Sequence, residues 1–159
     1  MPVLSSFDYA VIRVVPRVER EEFINVGVIL ICREKPYLGA RIAVDKERLR
    51  TLSADLDLDE IQRQLDLIPH ICDGDEEGGE IAQLPISERF HWLASPKSTV
   101  IQVSPAHSGL TENPEDTLER LLERMVLLPN PGARPAPPEE PITEPSETEL
   151  REPVAGSEP

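Results

Sequence analysis

Three runs rich in valine and isoleucine, each closed by turn residues, limit the folds open to this chain. They are Phe7–Pro16, Glu22–Cys32 and Tyr37–Val44, and β-branched runs bounded by turns read as strands. The four-residue break Arg33-Glu-Lys-Pro36 suits a hairpin, so the second and third strands are expected to pair antiparallel. Strict alternation gathers Ala10, Ile12 and Val14 on one face with Ile24, Val26, Val28 and Leu30, and then Leu38, Ala40, Ile42 and Val44. Cys32 shares that parity and reads as a small core residue. The opposite face mixes Tyr9, Val11, Arg13 and Val15 with Phe23, Asn25, Gly27 and Ile29, then Tyr37, Gly39, Arg41 and Ala43. Half apolar and half polar, it is expected to be partly covered. Gly27 weakens a strand unless a bulge or a close neighbour requires it.

Helix signals follow. Asp45 caps a short helix through Leu52, and Asp57 with Glu60 opens a second whose Leu58, Ile61, Leu65 and Ile68 fall at helical spacing. Pro69 is expected to kink or end it. Arg89–Ala94 and Thr99–Val103, flanking Ser95-Pro-Lys-Ser98, read as another hairpin. Asn113-Pro114 starts a helix with Leu118, Leu121, Leu122 and Met125 as its buried stripe. The elements predict an α+β fold over residues 1–128: a mostly antiparallel sheet built from hairpins and packed against two or three helices. From Pro129 to Pro159 the chain holds nine of its 17 prolines and seven acids against two arginines, with no apolar periodicity. Residues 129–159 are therefore expected to form a disordered Pro/Glu-rich tail.

Charge and short motifs exclude several classes. A net charge of -14 and a pI of 4.6 oppose nucleic-acid binding, which needs clustered lysine and arginine. No apolar run approaches the roughly 18 residues of a membrane span, and no secretory leader opens the chain, so a cytoplasmic location is expected. Two cysteines fit that compartment. Asp73-Gly-Asp-Glu-Glu-Gly78 begins like a calcium loop but reaches Leu84 where the bidentate glutamate belongs. His70, Cys72 and His91 lack the spacing of a zinc site. Lys97-Ser98-Thr99 has no glycines before it, unlike a P-loop, and no Gly-x-Ser-x-Gly elbow is present. No cofactor or metal is expected.

Two blocks carry a resemblance. Tyr9-Ala-Val-Ile-Arg-Val-Val-Pro16 with Glu22-Phe-Ile-Asn-Val-Gly-Val28 is the first; Arg89-Phe-His-Trp-Leu-Ala-Ser-Pro-Lys-Ser-Thr99 with Gln102-Val-Ser-Pro-Ala-His-Ser-Gly109 is the second. Together they resemble the bacterial "domain of unknown function 3037" family over nearly the whole body. The resemblance implies no established activity; it implies a neighbouring kinase of the toxin-antitoxin persistence type, and hence an accessory role with a protein partner. Lys97 stands where arginine is expected in many relatives, a difference that matters where an anion is gripped by a planar fork.

Two functions from different classes stand side by side. One is a non-enzymatic accessory or partner-binding module. The other is a small enzyme or ligand-binding domain for a phosphate-bearing molecule, built on Arg13, Lys97 and His107. The candidate ligand or partner-binding residues are Arg13, Asn25 and Arg41 on the mixed face, with Lys97, Ser104 and His107 from the second half. In the first case Arg13 is held by an internal salt bridge, with Glu22 as one partner, and His107 is an ordinary loop residue. In the second, Arg13, Lys97 and His107 surround one cleft and His107 exchanges a proton or donates a hydrogen bond.

Overall fold

The computed structural model describes residues 3–95 and 100–129. The expected tail lies outside them from residue 130 onward, and so does Lys97. The elements run β1 (Ser5–Val14), β2 (Ile24–Cys32), β3 (Tyr37–Ile42), α1 (Lys46–Leu52), α2 (Leu58–Asp73), α3 (Ile86–Ala94), β4 (Ile101–Val103), β5 (His107–Thr111) and α4 (Pro114–Met125). The fold is α+β. Five antiparallel strands form one sheet in the order β3-β2-β1-β4, with β5 pairing further along the same side of β1 as β4. No helix among the described residues is long and apolar enough to cross a membrane.

The sheet is buried on both faces, and a bulge decides which residue goes where. Ile12 pairs with Gly27 but Arg13 with Asn25, so Val26 is an extra residue in β2. An inserted residue reverses the alternation beyond it. Ile24 and Val26 therefore share a face with Ile29 and Ile31, against Leu49 of α1, Leu65 and Ile68 of α2 and Phe90 and Leu93 of α3. Val28, Leu30 and Cys32 point the other way, with Phe7, onto Leu118, Leu121 and Leu122 of α4. This corrects the single apolar face that strict alternation gives. Gly27 follows from the same bulge: a Cβ there would lie 2.7 Å from the Arg41 carbonyl oxygen and 2.7 Å from Cδ1 of Ile42.

The helices start where their caps predict. Asp45 and Asp57 accept from the amides of Arg48 and Glu60, and Asn113 accepts from those of Glu115 and Asp116. Pro69 does not end α2, which continues to Asp73 and stops at Gly74 in the left-handed region (φ 73°). Arg89–Ala94 is the second correction. It is helix α3, not a strand, because Ile86, Phe90 and Leu93 fall at helical spacing and the last two are buried. The Arg89 guanidinium donates to the carbonyls of Ile71 and Cys72 at 3.0 and 2.8 Å, satisfying the open C-terminal end of α2.

Candidate functional site

The polar residues of the mixed face lie on one side of the sheet, but separately. Arg13 stacks over Phe23, its guanidinium carbon 4.2 Å from the ring centroid. Its Nε is buried and meets no acceptor, while Glu22 pairs with Arg20 instead. Asn25 is the register partner of Arg13 and donates through Nδ2 to the Met125 carbonyl at 2.9 Å, pinning the end of α4 to β2. Arg41 binds Glu119 of α4 at 2.6 Å.

Ser104 and His107 have been drawn into the sheet. The backbone N–H of Ser104 donates to the Val11 carbonyl, and its Oγ accepts from the Val11 N–H, each at 2.8 Å. One residue thus completes both halves of a ladder pair where β4 and β5 part. His107 is a β5 residue opposite Tyr9, its ring 5.4 Å from the tyrosine ring. Tyr9 precedes Arg13 by four residues on β1, which separates His107 from Arg13 by roughly 13 Å along an extended strand. They do not share a cleft.

The residues of the metal-like motifs are also engaged. His70 faces Asp75 through Nδ1 at 2.7 Å and Glu77 through Nε2 at 2.9 Å. The hydrogen bond to Asp75, then the surrounding carboxylates, raise the His70 pKa above its usual value and lower that of Asp75. Asp75 also caps the turn at Glu76–Gly78. Cys72 is buried in the core, and burial pushes its thiol up to about 12.

What remains open is the outer edge of β3. The Ala43 N–H donates to the Val26 carbonyl, continuing the β2–β3 register. Bonding alternates along an antiparallel pair, so Arg41, Gly39 and Tyr37 bond inward to β2 while the N–H and C=O groups of Leu38 and Ala40 point outward. Among the described residues no strand pairs on that side. Instead a groove of about 410 Å³ follows the edge, with Pro69 and Asp73 of α2 on one wall and Glu115, Asp116, Leu118 and Glu119 of α4 on the other.

The groove is electronegative. Arg41 neutralises Glu119, whereas Asp73, Glu115 and Asp116 have no cationic partner among the described residues. Glu115 and Asp116 also lie in the first turn of α4, where negative charge complements the helix dipole. Tyr37 registers the local field: burial, then the charge of Glu115 with smaller contributions from Asp73 and Glu119, pushes its phenol up to about 12. Gly39 lets the Tyr37 ring fold back along the strand, since a Cβ would lie 2.7 Å from Cζ of that ring. None of these groove residues except Arg41 is among the sequence candidates. Their carboxylates are far apart in the chain and only the stacking of α2 and α4 on opposite faces brings them to one edge.

Neither curated proteins nor solved structures give a match. A family described as "Protein of unknown function (DUF3037)" matches residues 9–126, from Tyr9 within β1 to the C-cap of α4. That span covers most of the chain, including β1 from Tyr9 onward and all the other strands and helices of the sheet and its groove, and by it the chain belongs to this family.

Proposed function

We propose that this domain is a non-enzymatic accessory module that binds a protein partner along the edge of β3. The outward backbone groups of Leu38 and Ala40, set in a groove between two helices, carry the reading. An exposed strand edge offers main-chain hydrogen bonds to another chain, and walls on both sides select what enters. A kinase of the toxin-antitoxin persistence type is the first partner to try, and a cytoplasmic setting fits it. A phosphate-bearing ligand is the second reading, resting on the unpaired Nε of Arg13.

Co-purification of the tagged chain from its native cell, read by mass spectrometry, tests this. The expected result is a stoichiometric protein that is lost with Ala40→Pro, which removes an outward N–H while leaving the inward ladder intact. A bound phosphate-bearing molecule in place of a protein, or a partner indifferent to Ala40→Pro, would overturn it.

A further inference from the structure

We infer that the segment received by β3 is extended and cationic, adding to the sheet as a further edge strand with lysine or arginine side chains toward α4. The inference rests on the reading of β3 as the docking edge and names the chemistry of its occupant. An added strand pairs with the outward groups of Leu38 and Ala40 and sends alternate side chains to opposite faces of the sheet. On one face they meet Glu115, Asp116 and Glu119; on the other they meet Pro69 and Asp73. Arg41 is bonded to Glu119 alone, so most of the negative charge awaits a counter-charge. Cationic residues toward α4 answer Glu115 and Asp116, while the alternate positions face Pro69 and Asp73.

Other occupants fit less well. A second copy docking edge to edge would set the same carboxylates against one another, a like-charge juxtaposition that disfavours association. The chain's own residues after Leu128 carry seven acids, two arginines and nine prolines, so they bring the wrong charge and lack an N–H at nine positions.

Calorimetry with three synthetic peptides tests the inference on the full chain: alternating lysine and valine, the same peptide N-methylated at alternate residues, and alternating glutamate and valine. The lysine peptide is expected to bind, more weakly as salt rises. Replacing Glu115→Gln with Asp116→Asn should weaken it a few-fold per charge, the scale of exposed ion pairs. N-methylation keeps the charge and removes the donors, so it should weaken binding about tenfold or more as several backbone bonds go together. Equal binding of the N-methylated peptide, equal or tighter binding of the glutamate peptide, no binding of the lysine peptide, or self-association sensitive to Ala40→Pro would each overturn the inference. If the cellular partner is lost with Ala40→Pro but the lysine peptide does not bind, the occupant chemistry fails and the docking edge stands. If the lysine peptide binds and the cellular partner is indifferent to Ala40→Pro, the docking function fails and the chemistry stands.

Discussion

At one edge of the sheet β3 runs from Tyr37 to Ile42 without a break; at the other, β4 supplies only Ile101–Val103, Ser104 holds Val11 through its side chain, and Pro105-Ala106 leaves the ladder before β5 resumes it. The second edge carries the usual defences against unwanted pairing: a short strand, an irregularity and a proline that has no N–H to offer. It is further tied down by Asp8, which accepts from Ser108 at 2.6 Å and from Arg33 at 3.0 Å. Those bonds, Ser108 first, hold its carboxyl below the usual value. The β3 edge has no such interruption, and helices wall it without covering it. One edge is closed by its own sequence and the other stays unpaired among the described residues.

Disturbing the wall of the open edge should have the largest effect. Leu121 is buried where α4 meets Val28 and Leu30, so Leu121→Ala is expected to cost about 2–5 kcal/mol in denaturant unfolding. A change below about 0.5 kcal/mol would mean that α4 does not hold this face. At the closed edge, Ser104→Ala leaves the Val11 N–H buried without its acceptor and should cost about 1–3 kcal/mol. Ala40→Pro at the open edge should cost less than Ser104→Ala, because its N–H faces outward and no ladder bond is lost. Equal costs for the two substitutions would erase the difference between the edges.

The smallest effect concerns pH. His70 sits one turn before the end of α2, the segment that brings Asp73 to the groove, and its pKa is raised in the fold. A raised histidine contributes stability that is complete below its unfolded value near 6.5 and is lost as pH rises through the folded value. The lowered Asp75 contributes stability present above its unfolded value near 3.8 and lost as pH falls through the folded one. The advantage of the wild-type chain over His70→Gln should therefore shrink above the folded pKa of His70 in unfolding curves at stepped pH. A difference that grows with rising pH would contradict the clamp.

Much of the fold was legible where a signal is local. The Arg33–Pro36 hairpin, the Asp45, Asp57 and Asn113 caps and the leucine stripe of α4 each depend on a few neighbouring residues. The faces of β2 were not, because the extra residue Val26 is defined only by pairing with β1, although Gly27 beside it marks the bulge. Reading from Arg89 hid α3, since the helical spacing shows only when Ile86 is counted with Phe90 and Leu93. Strand β5 has little strand propensity in His-Ser-Gly-Leu-Thr and forms on the template of β1. Asn25, Ser104 and Arg41 stood out because polar residues among apolar ones need partners, and the partners turned out to be internal. The groove was invisible in sequence, for its floor is a strand edge and its walls come from distant helices.

Amide hydrogen exchange of the free chain, resolved residue by residue along β3, tests the central claim most directly. The amides of Gly39 and Arg41 should exchange slowly and those of Leu38 and Ala40 fast, the alternation of a strand paired on one side only. Slow exchange at all four in the free chain would mean that the edge is already covered and would contradict β3 as the docking site.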